Sequence, residues 1–316
     1  MIGLEVLYLL AGLLFAVFAV GSATDRTNPK RWGNTAFWGL FAVSFLFGSY
    51  LSDTLNGAIL VAMALAAGFN LLGKGSPPPQ ADRVERAERW GNRLFIPALI
   101  PPIVTLTGTL TLKGVEIGGV PLVDPKHVTL VSLGFGIVLA TTVALVLFRA
   151  SPAVAVREGR RLMDSVSWAG LLPQALAALG AVFVAASVGD VIGTLAGDYL
   201  PLNGPLAAVI AYSLGMALFT VIMGNAFAAF PVMTAAIALP LIIGQYGGDP
   251  AIVCAIGMLS GFCGTLMTPM AANFNIVPAA LLDLPDRNGV IRVQIPTALA
   301  LLATNTVLMY ALAFRF

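Results

Sequence analysis

The side chains of this chain best suited to chemistry inside its apolar segments are uncharged. One constellation is Gly224, Asn225, Ala226, Phe227, Ala228, Ala229, Phe230 and Pro231, flanked by Thr220 and Thr234. A second spans residues 261–275, GFCGTLMTPMAANFN, with Thr265, Thr268, Asn273 and Asn275 as polar members beside the helix breakers Gly261, Gly264 and Pro269. Gln174, directly after Pro173, and Ser187 form a third, sparser set. Amides and hydroxyls beside broken helices bind ligands rather than transform them: half-helix N-termini attract anionic groups, unwound carbonyls hold a cation, and polar side chains complete the site. Close helix packing is the competing explanation, because small residues four apart, as in Gly257 and Gly261 or Gly189, Gly193 and Gly197, let helices approach closely. It suffices for any single threonine or glycine. The asparagines resist it, since a buried amide is costly without partners and three of them flank two separate breaks.

Residues for catalysis are not grouped in this way. The single histidine, His127, follows Pro125 and Lys126 at a segment end, which suits an interfacial or loop role. Acidic residues fall at segment ends or in loops, with Glu5, Asp53, Asp164 and Asp190 nearest the membrane, so the sequence offers little for a buried proton relay. Cys254 and Cys263, nine residues apart in one apolar segment, point in different directions on a helix and cannot bridge. Thr105, Thr107 and Thr109 follow Pro101 and Pro102, and threonines in helices often bond their own backbone carbonyls. No phosphate-binding GxxxxGK[ST] loop occurs. The expectation is a protein that is not an enzyme, with no cofactor and no metal ligand set, other than sodium as a coupling ion.

The elements that position these residues are set by composition. With 58% hydrophobic and 10% charged residues the chain is far from the roughly 25% charge of soluble domains, and its net charge of +2 is too small and too dispersed for nucleic acid. Apolar runs at about 2–20, 34–51, 55–72, 94–109, 127–148, 166–189, 205–243, 251–281 and 295–314 predict an all-α, polytopic transmembrane bundle with about ten crossings of roughly 20 residues each. Residues 2–20 read as the first membrane helix rather than a cleaved signal. The run 205–243 is twice the bilayer thickness and must turn back, between Gly224-Asn225 and Pro231, while 251–281 reads as two half-helices, so broken helices or re-entrant hairpins are expected in the C-terminal half.

The whole of 1–316 reads as a single integral membrane domain with weak internal halves at about 1–150 and 151–316. Amphipathic stretches near 81–94 and 153–164, each ahead of an apolar segment with early proline, are expected to lie on the cytoplasmic surface. In the first, Asp82 with Arg86 and Glu85 with Arg89 have the spacing of side-chain pairs. Clusters of arginine and lysine in alternate loops place those loops inside and the N-terminus outside, and Asp190 and Asp198 fit an external loop.

The runs WAGLLPQALAALGAVF, GNAFAAFPVMTAAIALP and GTLMTPMAANFNIVPAALL resemble a bacterial membrane family whose members are described as one subunit of a two-component 5-oxoproline (pyroglutamate) permease. The likeness extends over nearly the whole chain and implies a second, smaller membrane subunit. That family is similar to the ion transporter superfamily, where paired hairpins and unwound helices cradle a carboxylate and sodium. Gly224-Asn225-Ala226 stands here where the dicarboxylate carriers of that group have Ser-Asn-Thr, so their sodium ligands are not carried over directly. The expected function is a secondary transporter subunit in the inner membrane that imports a small carboxylate by alternating access, with Asn225, Thr265, Thr268, Asn273 and Asn275 lining the site. The alternative is a non-transporting structural or assembly subunit.

Overall fold

The computed structural model describes residues 1–76, 80–199 and 204–314. Six of its helices are long and apolar enough to cross a bilayer: Leu4–Thr24, Ala87–Thr111, Val128–Leu147, Pro205–Met223, Ala226–Gln245 and Gly289–Ala313. Asp53–Gly68, Leu172–Ala185 and Pro250–Thr265 are apolar but shorter. The architecture is an all-α membrane bundle, with six long spans among the described residues against about ten crossings expected from the apolar runs. Part of the difference has a local cause. The run 166–189 does not form one rod: Ser187 takes a left-handed conformation (φ 51°) and divides it into Leu172–Ala185 and Val188–Tyr199. Asp190 and Asp198 therefore belong to a helix, not to the expected loop. The Asp82–Arg86 side-chain pair and the surroundings of Asp190, Gly197 and Asp198 lie outside the described residues.

The chain divides into two compact units, Met1–Ser167 and Trp168–Phe316. In the first, α1 (Leu4–Thr24) packs along α2 (Arg31–Phe47) through aromatic rings, with Phe15 stacked on Trp38 at 5.7 Å and Tyr8 edge-on to Phe45 at 5.9 Å. Such pairs add to burial by about 0.5–1.5 kcal/mol each. After α3 (Asp53–Gly68) and α4 (Gln80–Trp90), α5 (Phe95–Thr111) and α6 (Val128–Leu147) form an antiparallel pair. Their close approach depends on Gly108 against Ser132 and Gly136 against the Pro101 backbone. Thr105 and Thr109 donate to Pro101 O and Thr105 O one turn back, as expected. Strands β1 (Glu116–Ile117) and β2 (Val120–Pro121) pair across Gly118-Gly119, both at positive φ (62° and 80°), the conformation a two-residue hairpin turn requires. The amphipathic α7 (Pro152–Val166) lies against α1, with Gly159 beside the Phe18 ring.

In the second unit, α8 (Leu172–Ala185) and α9 (Val188–Tyr199) precede α10 (Pro205–Met223), which ends at Gly224. The chain reverses there into α11 (Ala226–Met233), and the following turns, Thr234–Gln245, widen into a π-helix. The run 205–243 thus turns back at Gly224-Asn225. Pro231 does not take part in the turn: it sits inside α11, where its ring is accommodated before the helix widens. Pro240 inside the π-helix removes an N–H, and Gly193 of α9 closes on the nearby Ala236 carbonyl, as Gly189 does on that of Val232. Then α12 (Pro250–Thr265), capped by Asp249 through Ile252 N–H at 2.9 Å, crosses α10. Its Gly257, Gly261 and Gly264 face Tyr212, Met216 and the Ala217 carbonyl. Gly261 and Gly264 are therefore packing positions inside a continuous helix rather than the expected breaks, and the break comes after Thr265. The short α13 (Ile276–Leu281) and long α14 (Gly289–Ala313) complete the unit, whose core includes Tyr212, Met216, Ile237, Ile242, Val253 and Met309.

Candidate functional site

The two interruptions of the second unit meet. Gly224 closes α10 in the left-handed region (φ 74°), its N–H donating to Thr220 O at 2.6 Å, and a Cβ on it would lie 2.6 Å from the Met270 carbonyl carbon and oxygen. Conformation and space together admit only glycine there. Across the contact, Thr268 Oγ1 donates to Val221 O at 2.8 Å, so a residue of the second break satisfies a carbonyl near the end of α10. Asn275, fully buried, donates through Nδ2 to Thr265 O at 2.8 Å and Thr268 O at 2.7 Å, closing the unwound segment 266–275 on itself. Thr265 Oγ1 bonds back to Phe262 O at 2.6 Å. Two oxygens in this region, Asn275 Oδ1 and Thr220 Oγ1, are sealed from solvent without a hydrogen-bond partner. Such orphans are uncommon in folded proteins.

Asn225 has a different setting. It caps α11, its Oδ1 accepting from Phe227 N–H at 2.8 Å. With Phe227, Ala228 and Pro231 of α11 and Ala177, Gly180, Ala181 and Val184 of α8 it lines a cavity of about 260 Å³. Asn225 is the polar side chain of that lining. The volume lies just below the roughly 300–1,000 Å³ of pockets for drug-sized ligands, which suits a small solute. The helix N-terminus beside it presents backbone N–H groups and the positive end of a dipole to an anion.

The expected site residues accordingly separate. Thr265, Thr268 and Asn275 converge with Gly224 in the buried crossing, and their polar atoms hold backbone. Asn225 faces the cavity. Gln174 is exposed on the first turn of α8, spaced by i+3 and i+7 from Ala177 and Ala181 and hence on the face that lines the cavity. Ser187 is exposed at the joint between α8 and α9, and Asn273 and Pro269 are exposed on the loop of the second break; the structure does not bring these three to the cavity.

Sequence reasoning missed a second polar centre, in the first unit. Asp164 lies near the end of α7, as expected, but is only 5% exposed, a buried acid that the sequence did not suggest. Its Oδ1 accepts from Asn34 Nδ2 and from Trp38 Nε1, both at 2.8 Å. Asn34 also pairs with the backbone of Gly73, donating to its carbonyl at 2.8 Å and accepting from its N–H at 2.9 Å. Arg160, one turn before Asp164, bonds Gly21 O at 3.0 Å and Asp25 Oδ2 at 2.9 Å. Hydrogen bonds from Thr27 and Arg160 outweigh burial and hold the Asp25 carboxyl below its ordinary value. The only signal for Asp164 was its position in a helix otherwise rich in arginine.

His127 adjoins the first residue of α6, with Nδ1 2.8 Å from Asp124 Oδ2; that hydrogen bond lowers the Asp124 carboxyl. The thiols of Cys254 and Cys263 are free. Among the described residues no three His, Cys, Asp or Glu side chains are grouped to hold a metal ion.

No curated protein and no solved structure matches this chain. A family model does, over residues 5–314, and the chain belongs to that family, the protein of unknown function family DUF979.

Proposed function

We propose that this chain is a subunit of a secondary transporter that carries a small carboxylate, 5-oxoproline being the first substrate to test, by alternating access with a second, smaller membrane subunit. The observation that carries the reading is the cavity beside the N-terminus of α11, lined by Asn225 and otherwise by small and apolar side chains. A carboxylate entering it meets the positive end of α11, and a ring amide finds the Asn225 side chain. Gln174, one turn before Ala177 on α8, is the next polar residue along that face. We read the protein as a carrier rather than an enzyme, in the inner membrane with its N-terminus outside and about ten crossings, the shorter apolar helices included. Sodium is the preferred coupling ion for this site, because hydroxyls and carbonyls rather than carboxylates surround the breaks.

A second reading, a non-transporting assembly subunit, is favoured by the hydrogen bonds of Thr268 and Asn275, which go to backbone carbonyls. The test is uptake of labelled 5-oxoproline by cells lacking other routes, expressing the chain alone, with its genomic neighbour, or neither. Uptake that requires this chain supports transport. Its absence in every state removes the substrate, and assembly of a stable complex without uptake supports the second reading.

A further inference from the structure

Asp164 has the surroundings of a group that exchanges a proton. It is buried, and the two donors on its Oδ1, Asn34 Nδ2 and Trp38 Nε1, are neutral and belong to α2. Of the two guanidiniums within one turn of it on α7, that of Arg160 is engaged by Gly21 O and Asp25 and that of Arg161 by Glu158, and no cation among the described residues pairs with Asp164 directly. A buried carboxylate without a paired cation relieves its desolvation by taking up a proton or by reaching water.

We propose that Asp164 is a proton-binding site, and that a proton on its carboxyl locks α7 and residues 70–76 onto α2, whereas loss of that proton loosens them. The coupling runs through Asn34. Its amide bonds Asp164 and, on its other edge, both backbone groups of Gly73. Asn28 Nδ2 reaches the same Gly73 carbonyl at 3.1 Å, and Lys30 Nζ bonds Asn70 O at 2.6 Å. An Asp164 that turns toward water takes its share of this network with it.

The charges facing Asp164 are few. Arg160, on the same helix, favours the carboxylate, and Asp25, from the connection between α1 and α2, favours the acid. From α2, Arg31 is stacked on Trp32 at 5.2 Å; α6 has no charged residue, and the one acid of α1, Glu5, lies in its first turn, away from Gly21. Burial pushes the Asp164 carboxyl above its ordinary value, against the hydrogen bonds of Trp38 and Asn34 and the attraction of Arg160. The raised value fixes the sign: the closed form keeps a proton that an open or unfolded form has released. The stability it contributes is therefore complete below the ordinary carboxylate range and is lost as pH rises through the raised value. This inference stands whether or not the chain carries a solute.

Trp38 supplies a reporter, since its indole N–H donates to the titrating carboxyl. In the detergent-solubilised full chain, the emission of its four tryptophans scanned from about pH 8 to about pH 4 is expected to step with a midpoint above the usual carboxylate range. The step disappears in Asp164→Asn, which keeps an oxygen for both donors without the charge, and in Trp38→Phe. Asp164→Asn also melts at or above the wild-type temperature at neutral pH, with little dependence on pH. A measurement on the unmutated chain is independent of whether that variant folds: amide exchange of residues 70–76, corrected for intrinsic rate, should slow several-fold on acidification through the same midpoint. A flat emission profile, a step that survives Asp164→Asn, a strongly destabilised Asp164→Asn, or exchange that does not slow would each overturn the proposal.

Discussion

Each unit of this protein has a buried asparagine at the centre of a polar network, Asn34 in the first and Asn275 in the second, and these two are treated in opposite ways. Asn34 in the first unit engages both edges of its amide, with Asp164 and Gly73 as partners. Asn275 in the second uses only its N–H groups, and its Oδ1 is sealed without a partner, as is Thr220 Oγ1 nearby. A fully paired buried network fixes one arrangement, whereas a partly paired one has a standing cost of about 1–3 kcal/mol per orphan that another arrangement can relieve. The Asn34 network of the first unit is accordingly a clamp, although Ser22 Oγ and Ser132 Oγ elsewhere in that unit are buried without a partner. The break around Asn275 in the second unit is of the partly paired kind and is held less firmly.

The largest expected effect tests the clamp. Asn34→Leu leaves the Gly73 N–H without its acceptor, the Gly73 carbonyl with Asn28 alone and Asp164 with Trp38 alone, and should cost about 3 kcal/mol, read as a lower melting temperature of the solubilised chain. Gly224→Ala comes next, at about 2 kcal/mol, because the left-handed backbone is unfavourable for alanine and the Met270 carbonyl occupies the space. Reduced abundance in membranes would register it. Asn275→Leu should cost less than Asn34→Leu, about 1–2 kcal/mol, since losing two bonds to carbonyls is partly offset by losing the orphaned Oδ1. Equal losses at the two asparagines would erase the distinction drawn between the units. Asn225→Ala removes a helix cap worth about 1 kcal/mol and should barely change abundance.

Hydropathy made most of the helices legible, because apolar length is what a bilayer selects. The reversal at Gly224-Asn225 was legible too, since a run of that length has to fold back and a glycine followed by a capping asparagine is where it can. The division at Ser187 was not: a serine in the left-handed region has no distinctive sequence around it. Gly261 and Gly264 look like breakers in a sequence, and only the proximity of Met216 and the Ala217 carbonyl identifies them as contact points. The π-helix after Pro231 leaves no periodic signature in a run that is apolar on every side. Asp164 was unreadable for a different reason. What buries it are Asn34 and Trp38, 130 and 126 residues away in sequence, and an acid among arginines on an amphipathic helix looks solvated.

The central claim, that Asn225 and the cavity beside α11 form a solute site, is tested most directly by measuring labelled 5-oxoproline uptake and membrane abundance together for the wild-type chain and Asn225→Ala, each co-expressed with the product of the neighbouring gene. The account predicts uptake at sub-saturating substrate reduced at least tenfold at unchanged abundance. Undiminished uptake by Asn225→Ala at normal abundance would contradict it.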